Sequence, residues 1–217
     1  MERITPGSQP PAPPRAAAIA GLLFSLLMLV SLGIIRSALP DARAEQSTLN
    51  VRVEQEIRFA LHLVPFAGLA FLWFIGVLRN RMGPAEDQFF ATVFLGSGLL
   101  FVASLFAAAA TAGAVLGSSH PLSSRQTGSE VYHFARLVSY AFLNIFGIRM
   151  AGVFIFSTCI ISLRTGILPR WIAFSGFACG LVLLLVISDW LWIAILFPLW
   201  TILVSVHILV VQKKRGG

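Results

Sequence analysis

The chain is patterned as long apolar runs closed by charged or turn-forming residues. Six runs stand out, at about 16–35, 57–78, 89–116, 134–163, 168–187 and 190–211. A bilayer core takes about 20 apolar residues in a helix, so each run predicts one transmembrane helix. The expected fold is all-α, a polytopic bundle of six transmembrane helices that takes up about two-thirds of the chain. The third and fourth runs exceed the core thickness and are expected to tilt or to extend into water. Before the first run lies a short Pro-rich tail, residues 1–15, and after the last a basic tail, residues 212–217. Ser188-Asp189 marks a short turn that makes runs five and six a hairpin. Gly83-Pro84 marks another turn, followed by Glu86 and Asp87 at the start of run three, where the helix dipole favours anions.

Composition sharpens this picture. Of 217 residues, 57% are hydrophobic and 12% charged, and the mean hydropathy is +0.85. Soluble domains carry about 25% charge, so a water-soluble single domain is excluded, as is a disordered chain. The net charge of +7 is spread singly between the apolar runs. It therefore reads as a topology signal, and no nucleic-acid partner is expected. The one basic cluster, Lys213-Lys214-Arg215, reads as a stop at the membrane surface.

Arg3, Arg15, Arg79, Arg81, Arg164, Arg170 and that cluster fall on one side of the predicted topology. Arg36, Arg43, Arg52, Arg58, Arg125 and Arg136 fall on the other, over longer loops. The positive-inside rule then places both termini in the cytoplasm. Ala42-Arg43-Ala44 resembles a signal-peptidase site, but the preceding apolar run is longer than a signal peptide's, and the first span is expected to be uncleaved.

Helix contacts are expected at small residues: Gly176 and Gly180 in run five, Gly147 and Ala151 in run four, and the Ala-rich stretch 107–114 in run three. Cys159 and Cys179 lie at depths roughly 10 Å apart, too far for a disulfide, and read as packing residues. No metal-ligand spacing is present.

Polar side chains inside spans mark a bundle interior and are site candidates. Glu54, Arg58 and His62 recur every four residues along one face at the start of run two, with Glu54 and Arg58 oriented for an ion pair. His133, Arg136, Tyr140 and Asn144 form a second stripe at the start of run four. Both stripes fall in the outer half and could line an outward-facing polar cavity between spans two and four. Arg149 lies deeper. An α-helical count puts it about 140° from Asn144, on a face with Phe142 and Val153. No acidic residue lies within a span to neutralise it, so carbonyls, amides, water, an anion or a lipid headgroup must serve.

His62 and His133 are at comparable depth on different helices, which also raises haem as a cofactor. Otherwise no cofactor is expected. Catalysis finds little support: there is no nucleophile elbow, zinc-protease motif, phosphate loop or intramembrane carboxylate pair.

The runs FLWFIGVLRNRMGPAEDQFFATVFLGSGLLF (71–101) and RMAGVFIFSTCIISLRTGILPRW (149–171) resemble a group of uncharacterised bacterial multi-span membrane proteins. The resemblance covers spans two to five and implies the architecture and a bacterial inner-membrane setting, with no activity to carry over. Three readings of function stay open. One is a binding or transport-type protein whose cavity takes an anionic small molecule or lipid headgroup. Another is a non-catalytic accessory subunit, acting as a homo-oligomer or within a complex. The third is a haem-binding redox protein.

Overall fold

The computed structural model describes residues 14–38, 51–82, 88–118, 134–186 and 191–215. The 42–44 segment, Gly83-Pro84, Glu86-Asp87, His133, Ser188-Asp189 and the Pro-rich tail before Pro14 lie outside the described residues. Among the described residues six helices run in order: α1 (Pro14–Ala38), α2 (Val51–Met82), α3 (Gln88–Ser118), α4 (Phe134–Thr165), α5 (Arg170–Leu185) and α6 (Leu191–Arg215). Five of them, all but α5, are long and apolar enough to cross a membrane. The fifth apolar run, expected as a 20-residue span, instead forms a 16-residue helix. At 1.5 Å per residue it is about 24 Å long, short of a ~30 Å hydrocarbon core.

The limits of α5 follow from its ends. Gly166 closes α4 in the left-handed conformation (φ 70°), with its N–H donating to the Ser162 carbonyl at 2.9 Å. A side chain there would be strained, so glycine is the residue that stops the helix. Pro169 is extended (ψ 150°), and its carbonyl accepts from the N–H groups of Ile172 and Ala173 as α5 begins. At the far end Val186 turns extended again (ψ 112°). The Arg-Thr-Gly-x-Leu-Pro-Arg-Trp sequence is thus a stop, a two-residue link and a restart.

Each helix packs antiparallel on the next, and α6 returns to α1 to close a ring. The pairings show the alternation. Ser31 on α1 reaches Ala60 on α2, Ile75 on α2 lies beside Gly98 on α3, and Ser139 on α4 reaches Ala108 on α3. Trp200 on α6 donates to the Ile172 carbonyl on α5, and Ser205 on α6 sits against Gly21 on α1. An even number of antiparallel helices brings the start of α1 and the end of α6 to one end of the bundle. Arg79, Arg164 and Arg170 lie at that same end, where the Arg164 guanidinium stands 4.7 Å from the Phe90 ring centre.

The outside of the ring is apolar. Ile19, Leu26, Phe66, Trp73, Phe174 and Leu185 are each more than half exposed. Soluble monomers rarely show contiguous apolar patches of this extent. Together with the helix lengths, this makes the chain a multi-pass membrane protein. Inside, five helices each send one phenylalanine to a common centre: Phe24, Phe71, Phe101, Phe154 and Phe197. Phe71 sits in the middle, with ring centres 4.7 Å from Phe24, 5.1 Å from Phe154, 5.3 Å from Phe101 and 5.4 Å from Phe197. Most buried hydroxyls are absorbed by their own helix: Ser25, Thr158 and Thr201 each donate to the carbonyl four residues back.

Small residues set the α4–α5 crossing. A Cβ at Gly180 would lie 3.2 Å from the Gly152 carbonyl oxygen and 2.6 Å from the Phe156 ring, and Gly176 leaves room for Cys159. The expected Gly176/Gly180 contact surface is therefore real, and its partner is Gly152. Both cysteines are free, and Cys179 donates to the Leu196 carbonyl at 3.7 Å.

Candidate functional site

At the end of the bundle opposite the chain termini, the ring opens into a cavity of about 280 Å³. Its walls come from α1, α2, α3 and α4, each contributing one helical face at three- and four-residue steps. On α1 the face is Met28, Ser31, Leu32 and Ile35, and on α2 it is Ile57, Leu61 and Val64. Leu105, Ala108, Ala109, Ala112 and Leu116 form the α3 wall. The α4 wall carries nearly all the polarity, with Arg136, Ser139, Tyr140 and Asn144 around Leu143.

The cavity exists because α3 is built of alanine where it faces inward. The Ala-rich stretch was expected to bring two backbones together. α4 does come close there, its Ser139 hydroxyl reaching the Ala108 carbonyl at 2.8 Å, and beside that contact Ala108, Ala109 and Ala112 leave the space that larger side chains would fill. Ser31 and Ser139 hold the rim by bonding across helices, Ser31 to the Ala60 carbonyl at 3.2 Å and Ser139 to the Ala108 carbonyl at 2.8 Å. Their hydroxyl protons are spent on architecture. Asn144 donates through Nδ2 to the Tyr140 carbonyl at 3.3 Å, leaving Oδ1 as an acceptor. Among the described residues, no carboxylate pairs with Arg136.

The two predicted stripes part company here. Arg136, Tyr140 and Asn144 line the cavity, and His133 lies outside the described residues. Glu54, Arg58 and His62 do not line it, because α2 turns Ile57, Leu61 and Val64 inward and leaves Arg58 and His62 exposed. The cavity is therefore a four-helix, largely apolar chamber with one polar wall, where a polar cleft between two stripes was expected. Glu54 and Arg58 do form their ion pair, 2.6 Å apart, on a side chain 50% exposed at the arginine, and Arg52 and Glu56 form a second at 3.2 Å. Pairs of this kind contribute about 0.3–0.5 kcal/mol. Glu54→Gln is expected to shift the detergent unfolding midpoint no more than an average surface change; a large loss would show that the pair does more than decorate α2.

Arg149 lies off the cavity, apart from the stripe that carries Asn144, as the α-helical count predicts. Residues Ala141–Gly147 form a π-helical turn inside α4, and the Ile148 N–H bonds the Leu143 carbonyl, five residues back. The last bond of this register is the one from the Ile148 N–H, so Arg149 stands in the ordinary α-helical run that follows it. Its Nη1 donates to the Ile145 carbonyl at 2.8 Å and to the Asn144 carbonyl at 3.3 Å. The carbonyls that the sequence allowed as partners are thus the ones used. Gly147 sits inside the turn, where a Cβ would stand 3.2 Å from the Phe142 carbonyl oxygen and 3.6 Å from Ser104 on α3.

Among the described residues no cluster of three or more His, Cys, Asp or Glu could hold a metal ion. His62 faces outward on α2, on a face that α2 does not turn to the cavity. Comparison with protein-family models, with curated proteins and with solved structures finds no match to this chain.

Proposed function

We propose that this chain is a membrane-embedded binding or transport-type protein for an amphipathic molecule, with an apolar body and an anionic or hydrogen-bond-accepting head. One observation carries this: a chamber of about 280 Å³ with three apolar helix faces and a fourth that bears Arg136, Tyr140 and Asn144. The volume is at the lower end of small-molecule sites, roughly 300–1,000 Å³. Its chemistry is asymmetric. The apolar walls offer nothing to a bare anion, and a guanidinium offers nothing to a pure hydrocarbon, so the two together select a molecule with both parts. Arginine suits a carboxylate or phosphate head because its fork donates in pairs.

The Lys/Arg distribution supports placing the end that bears both termini in the cytoplasm, so that the cavity opens outward. In that arrangement α5 also crosses, as the fifth of six spans, with the bilayer thinning locally around its short helix. The sequence resemblance supports a bacterial inner membrane as the setting.

Native mass spectrometry of the protein in mild detergent tests the reading. The wild type is expected to carry a reproducible adduct with the mass of an amphipathic lipid or lipid-like acid. Ala109→Phe, which fills the chamber, should abolish it. Arg136→Gln should weaken retention about 10-fold or more, since a hydrogen bond to a charged group contributes about 1.5–3 kcal/mol. An adduct that survives Ala109→Phe, or a wild-type chain that never carries one and takes up none from added lauric acid, overturns the proposal.

A further inference from the structure

We infer that Arg149 is a positioning residue: it holds an extra residue inside the π-helical turn of α4 and thereby decides which side chains α4 shows to the cavity. The inference gives the proposed binding site its polar wall and rests on that reading for its functional meaning, though not for its test.

Within Ala141–Gly147 the backbone bonds span five residues, ending with the Ile148 N–H on the Leu143 carbonyl. From Ile148 to Thr165 the helix is ordinary α, so the next N–H, that of Arg149, returns to a carbonyl four residues back, that of Ile145. The Asn144 carbonyl is passed over. In a membrane helix such an orphan acceptor is costly, because lipid offers no donor. The Arg149 guanidinium reaches this carbonyl at 3.3 Å and shares the Ile145 carbonyl at 2.8 Å. Arg149 therefore supplies the donor that the extra residue removes.

The extra residue has a consequence at the cavity. Every residue of α4 before the turn sits one helical position further along than an unbroken α-helix would place it. One position is about 100° of rotation and 1.5 Å of rise. In an unbroken helix Tyr140 would stand where Ser139 now bonds α3, and Arg136 would swing off the chamber wall. π-turns recur at functional sites, and here the turn itself contributes Leu143 and Asn144 to the lining.

Engineered disulfides read the register directly. Ser139 touches α3 at Ala108, with 2.8 Å from its hydroxyl to that carbonyl, so Ser139→Cys with Ala108→Cys should cross-link on oxidation. Ser31→Cys with Ala60→Cys, across α1 and α2, is the control for an intact bundle. With Arg149→Met added, the Ser139 pair should be lost and Tyr140→Cys with Ala108→Cys should form in its place, a shift of one residue. Arg149→Lys, whose ammonium can still donate to both carbonyls, should keep the Ser139 pair. Deleting Phe146, an exposed residue of the turn, removes the extra residue and should restore the Ser139 pair in the Arg149→Met chain.

If the Ser139 pair persists in Arg149→Met while the control forms, Arg149 does not set the register and the inference falls. If Arg149→Met loses both pairs, the deletion decides: recovery of both supports the inference, and no recovery overturns it. These cross-links need no ligand, so failure of the binding proposal would leave them unchanged, and their failure would leave the adduct experiment intact.

Discussion

Phe71→Ala is expected to destabilise the bundle by about 2–4 kcal/mol, the largest loss from any single truncation in the core. In water a buried Phe→Ala change costs about 3–5 kcal/mol, part of it for transfer out of water. In a bilayer that part shrinks, because lipid is as apolar as the core. What remains is the void, at roughly 24 cal/mol per Å³, and the ring contacts, roughly 0.5–1.5 kcal/mol for a good pair. Phe71 is fully buried and meets five other rings, so little can relax into its place. Phe66, five residues earlier on the same helix, is 62% exposed. Phe66→Ala should leave the unfolding midpoint in detergent nearly unchanged. Equal losses for the two variants would mean that the five-helix phenylalanine centre does not hold the ring together.

That pair of phenylalanines also shows what the amino-acid order conceals. In a soluble helix the apolar face announces itself, because the other face is polar. In a membrane helix both faces are apolar, and Phe66 and Phe71 look alike. Helix positions were legible because length alone reports them, and α1 to α4 and α6 each cover their apolar run. The shortness of α5 was less so, since Leu168 and Val186 are as apolar as the helix between them; only their backbone, extended at Pro169 and Val186, ends it.

The candidate site was half legible for the same reason. Arg136, Tyr140 and Asn144 stood out as polar residues in lipid, and they form the chamber's polar wall. The alanines of α3 did not, because a small residue can bring two backbones together or leave a space, and the composition is identical. Arg149 was legible as a charge in need of carbonyls. The π-turn that provides them leaves no mark on composition, since it changes the count of residues per turn and not their type.

Gly180→Leu is expected to detach α5 from α4. The helices meet here through backbone: a Cβ on Gly180 would stand 3.2 Å from the Gly152 carbonyl oxygen, and one on Gly152 the same distance from the Gly180 carbonyl oxygen. Rotating a side chain relieves the 2.6 Å approach to Phe156, but no rotamer moves a carbonyl, so the helix axes must separate. Overpacking typically costs about 1–3 kcal/mol in a core that can adjust. The cost here should be at the upper end or beyond it, because α5 is the short helix and, among the described residues, packs chiefly on α4 and α6. With Cys179 replaced by serine, Cys159 is the one thiol left and reports the outcome. Its thiol is buried against Gly176 in the same interface, so a membrane-permeant maleimide should leave it unmodified in the wild type and label it in Gly180→Leu. Gly180→Ala, with a single methyl, should label far more slowly. The Ser31–Ala60 contact lies on the opposite side of the ring, and a cysteine pair placed there should still cross-link in Gly180→Leu, which separates loss of α5 from collapse of the whole bundle. If Cys159 stays protected in Gly180→Leu, the two backbones are not in contact at this crossing, and α5 is held instead by the Trp200 bond to the Ile172 carbonyl and the α6 surface around it.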